Sequence, residues 1–480
     1  MPLRRVTGMA ETLTPDICVI GGGRGAAAAA LAAAALGVPV VFVHNGGAGG
    51  AQCDMSVLGL AAAARRVEAM RGSGAFGAAA SIVGVDFPKV RDHVQRVLAA
   101  VAPNESVARL TGLGVRVIDG AARFKDRRTL EVEGIGDIRA RRFVVATGLR
   151  PVLPPIPGLD GGATFTAETI LSLAELPGHL IVIGAGSAGL EMAQIFRRLG
   201  SAVTVLEAAQ PLASDDPECA GIVLDELARE GVAIRSGVKI ARIEHASGKV
   251  RAILEGIEGG ERIEGTHLFV AAGDKPALDG LALEAAGIKY DSSGIAVNGS
   301  LKTSNKRVYA IGGATGQPRF SRAADHHAGL AIQNAVLRRK IQAASGEIPW
   351  VTLTDPELAQ AGMTEAEARK RGIKVEISRW PFHDNARAQA QRETRGHIKV
   401  VTTKNGKIVG ATIVGAGAGE LIATWALAVA RGLNISAFAD VVLPSPTLSE
   451  IDKYVAFDFF SRRLTGSWVR RIIAWLRIFG

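Results

Sequence analysis

A chain of 480 residues has room for about three domains. Hydrophobic residues make up 48% and mean hydropathy is +0.21, but this apolar content is spread as alanine and glycine, which excludes a membrane-spanning run of about 20 strongly apolar residues. The net charge of +10 favours anionic surfaces in general, and no nucleic-acid motif accompanies it.

The N-terminus lacks a charged segment leading into an apolar stretch and cleavage site, so no secretory signal is expected. Cys18, Cys53 and Cys219 form no close pair. That argues against a disulfide scaffold or zinc site and suits a cytoplasmic chain.

The first patterned segment is DICVIGGGRGAAAAALAAAALGVPVVFVHN, from Asp16. It reads as a strand, a G-x-G-x-x-A turn (Gly21, Gly23, Ala26), an alanine-rich buried helix and a second strand ending near His44. The first glycine permits the tight turn, and the second lets the backbone approach a pyrophosphate. The small third residue lets helix and strand pack closely, and the helix N-terminus attracts phosphate. FVVATGLRPVLPPIPGL follows from Phe143 as a strand, a tight turn (Ala146, Thr147, Gly148) and a proline-rich exit.

The second segment, HLIVIGAGSAGLEMAQIFRRLGSAVTVLEA from His179, repeats the unit with Gly184, Gly186 and Gly189. One glycine signature is weak evidence; two complete βαβ patterns imply two bound dinucleotides. The end of the second strand tests the ligand, because an acidic residue there takes the ribose hydroxyls. Glu207 meets that test and would repel a 2′-phosphate, which favours NAD over NADP. The first unit has His44 instead, a departure that weakens the ribose contact and leaves the pyrophosphate site intact.

LFVAAGDKP (Leu268 to Pro276, with Gly273) and VYAIGGATG (Val308 to Gly316, with Gly312 and Gly313) read as further strands ending in glycine turns. From about Ile348 the composition changes. GHIKVVTTKNGKIVGATIVG alternates like an antiparallel hairpin turning at KNG, and AGELIATWALAVARG reads as an amphipathic helix. The fold class is α/β: two Rossmann-like dinucleotide-binding domains and a C-terminal α+β domain.

These stretches, with WVTLTDPELAQAGMTEAEA, GATIVGAGAGELI and SPTLSE, resemble the pyridine nucleotide-disulfide oxidoreductases from Asp16 to about Phe460. FSRAADHHAGLAIQNAV and PFHDNARAQAQRETRGHIKVV are similar to its mercuric-reductase-like branch in particular. The resemblance implies FAD in the first unit, NAD(P)H in the second, and a C-terminal domain that makes a homodimer. The corresponding boundaries are 1–150 and 276–345 for the FAD domain, 151–275 for the NAD domain and 346–460 for dimerisation.

The departures from the family pattern cluster. Its disulfide motif, C-x-x-x-x-C-x-P-S-K, is met only by Cys53; Leu58 stands for the second cysteine, Leu60 for the proline and Ala62 for the lysine. The glutamate that pairs with that lysine remains as Glu191. The C-terminal His–Glu dyad keeps Glu450, but Ser445 replaces the histidine. The aspartate of A-I-G-D is Gly313.

A dithiol relay needs two sulfurs and a base, and a serine hydroxyl does not titrate near neutrality. Lipoamide, glutathione or mercuric reduction by the family's route is therefore not expected. Cys53 reads either as an isolated redox thiol beside the flavin or as a buried structural cysteine. Glu191 reads either as a group of the nicotinamide pocket or as a solvated first-turn carboxylate. With Cys53, Glu191 and Glu450 as the candidate catalytic residues, the expected activity is an FAD-dependent NADH oxidoreductase delivering electrons to an unidentified acceptor. The alternative is a degenerate nucleotide-binding scaffold or sensor.

Residues 461–480 form a basic tail. At about 100° per residue, Trp468, Ile472, Trp475, Leu476 and Phe479 share one face. Arg470 and Arg477 lie opposite, with Arg471 at the border and Arg462 and Arg463 just before. Such a helix suits either peripheral contact with the inner face of an anionic membrane or docking on the dimer.

Overall fold

The computed structural model describes residues 12–44, 50–78, 83–246, 248–256, 261–316, 321–343, 348–464 and 473–478. The first unit is a five-stranded parallel sheet in the order Val308–Ala310, Arg142–Val145, Ile17–Ile20, Val40–His44, Val115–Asp119. Its central strand, ICVI, is buried throughout, as a strand covered on both faces must be. The helix Arg24–Ala35 is almost pure alanine for a steric reason. It packs against the helix Ser321–Val336 so closely that a Cβ on Gly25 would lie 2.6 Å from the Ala324 Cβ.

The second unit repeats the plan in the order Ala233–Ser236, Ala202–Glu207, His179–Ile183, His267–Val270, Thr164–Phe165. Its helix, Ser187–Leu199, is amphipathic and buries Leu190, Met192, Ile195 and Phe196. Each unit carries a three-stranded antiparallel sheet, at 122–138 and 240–265. The chain crosses between the units twice, and the two crossing strands, Leu149–Pro151 and Asp274–Pro276, pair antiparallel.

The C-terminal unit is a five-stranded antiparallel sheet, ordered Trp350–Thr352, Glu357–Gly362, Ile408–Gly415, His397–Thr403, Val375–Pro381. The expected hairpin and helix are both present, as His397–Thr403 with Ile408–Gly415 and as Ala418–Arg431. Trp425 is fully buried, stacked on Phe438 at 4.0 Å between centroids.

Buried charge pairs join this unit to the second. Arg198, 5% exposed, bonds Glu230 and Asp355. Lys399, 4% exposed, bonds Asp216 at 2.8 Å, Glu365 at 3.0 Å and Glu218 at 3.1 Å. Both cations are desolvated and paired, so removing either leaves an uncompensated carboxylate. The helix Glu450–Leu464 runs past the expected domain edge at 460. Within it Arg462 pairs with Asp458, and Arg463 pairs with Glu376 and stacks on Phe459, so these two arginines serve the domain rather than the tail.

Candidate active site

The two glycine loops show why their small residues are needed. A Cβ on Gly21 (φ +154°) would lie 2.2 Å from the Ala146 carbonyl oxygen; on Gly184 (φ +102°) it would lie 2.4 Å from the Ala271 oxygen. On Gly189 it would lie 2.0 Å from the Gly184 oxygen, and Ala26, its counterpart, is fully buried. Gly23 and Gly186 begin the two helices without a side-chain cap. The first-turn N–H groups thus stay available to an anion. The return turns contribute Gly148 (φ +76°) and Gly273 (φ +111°), both with open space where a Cβ would stand. Thr147 Oγ1 is buried with no hydrogen-bond partner among the described residues.

Gly312 (φ +58°) and Gly313 form the fifth turn. A Cβ on Gly312 would lie 2.8 Å from the Ala324 Cβ.

The strand ends differ between the units. Glu207 accepts the Ala185 N–H on Oε2 at 2.7 Å and the Ala209 N–H on Oε1 at 2.8 Å. Its carboxylate is therefore held beside the glycine loop with lone pairs to spare. Arg197 and Arg198 are committed elsewhere. Arg197 donates to the Glu230 and Ser201 carbonyl oxygens, and Arg198 lies in the buried cluster described above. His44 bonds through Nδ1 to Asp119 Oδ1, at 3.0 Å.

Around the expected redox centre, Cys53 lies on the helix Gly50–Arg71, with its side chain outside the described residues. Leu58 and Ala62 are one turn apart on that helix and both exposed. Glu191, whose family partner is the lysine replaced by Ala62, accepts the Leu353 backbone N–H on Oε1 at 2.7 Å. Its carboxylate is thus tied to the turn between the first two strands of the C-terminal sheet. Ser445 is exposed, and Glu450 Oε2 accepts the Thr447 N–H at 3.1 Å, closing its own helix-entry turn.

The remaining thiols are both fully buried. Desolvation pushes each well above the ordinary thiol range, in Cys219 with help from the Asp216 and Glu218 carboxylates. Cys219 Sγ lies 3.6 Å from His397 Nε2, and burial lowers the His397 pKa. That imidazole is therefore a poor source of the positive charge that would activate the thiol.

Two family profiles cover most of the chain. Pyridine nucleotide-disulphide oxidoreductase matches residues 15–328, and the dimerisation domain of the same family matches 348–455. The chain belongs to the pyridine nucleotide-disulphide oxidoreductases. It is 35% identical over 450 residues to a dihydrolipoyl dehydrogenase of Thermus scotoductus, covering 91% of this chain and 95% of that one. It is 31% identical over 456 residues to a mercuric reductase of Streptomyces lividans, covering 93% and 96%. Among solved structures, the HOCl-induced flavoprotein disulfide reductase RclA from Escherichia coli superposes with a TM-score of 0.80 at 25% identity, over 92% of this chain and 99% of that one.

As a member of this family the chain is an FAD-dependent oxidoreductase that uses a pyridine nucleotide. The residues present fit the two dinucleotides. Both helix starts are uncapped, both loops admit only small residues at their contacts, and the Thr147 hydroxyl needs a partner.

Sequence reasoning missed Asp119 and the Leu353 backbone. Asp119 carries no local motif, and its relation to His44 exists only through strand register. No one-dimensional signal connects Glu191 to Leu353, because they are 162 residues apart.

Proposed function

We propose that this enzyme passes electrons from NADH through FAD to an external acceptor without a dithiol relay. The observation that carries the reading is the state of the sulfurs. Leu58 stands where a second cysteine would, and Cys18 and Cys219 are both fully buried. Bound FAD supplies the two-electron redox chemistry, and the chain supplies position and environment. Gly21, Gly23, Ala26, His44, Ala146, Thr147, Gly148, Gly312 and Gly313 would hold FAD. Gly184, Gly186, Gly189, Glu207 and Gly273 would hold NADH, with Glu207 accepting its ribose hydroxyls.

Glu191 has a structural share in this reading. Its bond to the Leu353 N–H fixes the helix of the second glycine loop against the C-terminal domain, and so the nicotinamide side against the dimer. Glu450 orders the turn that carries Ser445, and serine takes the place of the family's histidine there. In this reading residues 1–150 and 276–345 form the FAD domain and 151–275 the NAD domain. Residues 346–460 form the dimerisation domain and 461–480 the tail.

The test is anaerobic titration of the purified enzyme with NADH. Uptake of one two-electron equivalent per FAD, with no long-wavelength band between thiolate and flavin and no thiol released, is the expected result. Cys53→Ser leaves the titration unchanged. Two equivalents per FAD, or a long-wavelength band lost in Cys53→Ser, rejects the proposal. A preparation with no flavin absorbance favours the nucleotide-binding scaffold instead.

A further inference from the structure

The two glycine units can be aligned inside this one chain by their hydrogen bonds, without any external reference. The Gly21 N–H donates to the Val43 carbonyl oxygen, and the Gly184 N–H donates to that of Leu206. The strand registers agree, with Ile20 opposite Val43 and Ile183 opposite Leu206. His44 and Glu207 are therefore structural counterparts, each one residue beyond the aligned pair. On the next strand outward, His44 stands opposite Asp119 and Glu207 opposite Ser236. The second unit has its carboxylate on the inner of the two strands. The first unit has an imidazole there and the carboxylate one strand further out.

We infer that His44 and Asp119 together replace the ribose-binding carboxylate of the first unit, with Asp119 setting the imidazole so that it accepts a ribose hydroxyl of FAD. The assignment rests on the FAD reading above. Asp119 has no donor to offer, so the His44 Nδ1 at 3.0 Å carries the proton of their bond. In the neutral imidazole the opposite ring nitrogen, Nε2, then keeps its lone pair. Ribose hydroxyls donate to the carboxylate that usually stands at this strand end, and an acceptor nitrogen reproduces that role. The backbone supports the arrangement, because the Gly120 N–H donates to the His44 carbonyl oxygen and ties the two strand ends together. The Asp119 side chain is 77% exposed and that of His44 31%, so both are open to a ligand at the strand ends. Without Asp119 the proton is free to sit on Nε2, and the acceptor held toward the ribose is lost. Asp119 is thus a positioning residue.

The experiment uses the full-length apoprotein, stripped of flavin, and two probes: FAD and its analogue with 2′-deoxyadenosine. Binding is read from flavin fluorescence. The wild type should bind FAD roughly tenfold tighter than the analogue, the value of one well-made hydrogen bond to a polar site. Asp119→Ala and His44→Ala should each bring the two probes within about twofold of one another. His44→Glu combined with Asp119→Ala, which recreates the arrangement of the second unit, should restore the preference. A merely structural role for Asp119 would weaken both probes equally. Full discrimination in Asp119→Ala, or none in the wild type while FAD still binds, overturns this assignment alone. A wild-type apoprotein that binds neither probe overturns the FAD reading together with it.

Discussion

Gly313 packs against Leu149 with no space for a side chain: a Cβ at 313 would lie 2.5 Å from the Leu149 Cγ, 2.8 Å from the Gly148 carbonyl carbon and 3.0 Å from the Leu149 nitrogen. Two of those three atoms are backbone, so a rotamer change at Leu149 does not clear the space. The family's aspartate at this position has not simply been trimmed away; the turn carrying Gly148 and Leu149 occupies its place. Gly313→Asp should therefore fail to recreate a flavin contact. We expect it to cost about 1–3 kcal/mol of stability, as overpacking does, and to lower the flavin content of the purified protein. Thermal melts and the ratio of flavin to protein absorbance check this. A Gly313→Asp protein with unchanged melting and flavin content would contradict the close packing.

We propose that Glu207 sets the nucleotide preference. Its carboxylate is held by the Ala185 and Ala209 N–H groups, and the two arginines of the following helix, Arg197 and Arg198, are bonded elsewhere. NADPH should bind at least about tenfold more weakly than NADH. Glu207→Gln removes the charge and keeps an acceptor, so the gap should narrow chiefly through tighter NADPH binding. Dissociation constants for both nucleotides with both proteins decide the point. NADPH binding equal to NADH in the wild type would show that the strand end does not read the ribose.

Asp452 gives the dimerisation domain a pH dependence of definite sign. Burial raises its pKa from 3.8 to about 7, although the Trp425 Nε1–H bond to its Oδ1 at 2.7 Å pulls the other way. A carboxyl raised in the folded state keeps its proton where the unfolded chain has released it. Its contribution is complete below the unfolded pKa, falls as pH rises from about 4 to about 7, and is lost above. Asp452→Asn retains an acceptor for Trp425 and removes the titration. The variant should gain stability over the wild type as pH rises, reaching on the order of 3 kcal/mol near pH 8. Denaturant melts of both proteins from pH 5 to pH 8 measure that difference. A difference independent of pH would mean that Asp452 is ionised in the fold.

The tail supplies a separate test. Its described part, 473–478, exposes Ile473, Trp475, Leu476 and Ile478; Trp468, Ile472, Phe479, Arg470 and Arg471 lie outside the described residues. No helix among the described residues is long and apolar enough to cross a membrane. We propose that the tail rests on anionic lipid, supported by this exposed apolar group beside Arg477. Full-length protein should co-sediment with anionic vesicles, and deletion after Thr465 should abolish the effect. Equal sedimentation of the truncated protein would leave the tail to the dimer.

The sequence determined what depends on local sterics and short spacing. Gly21, Gly184 and Gly189 announce themselves because backbone oxygens stand 2.0–2.4 Å from where their Cβ atoms would be, a demand that only glycine meets. The hairpin around Gly406 (φ +81°) and the helix Ala418–Arg431 follow from alternation, turn chemistry and periodicity within about 35 residues. The departures from the family motif are legible too, since Leu58 and Ser445 stand where its second cysteine and its histidine would. Tertiary structure alone decided which groups meet. Parallel register set Asp119 beside His44 across 75 residues, and domain packing brought the Leu353 N–H to Glu191 across 162. A closing turn filled the space beside Gly313. Such contacts are fixed by how sheets and domains stack, and a carboxylate or a backbone N–H carries no sign in the sequence of the partner it will find.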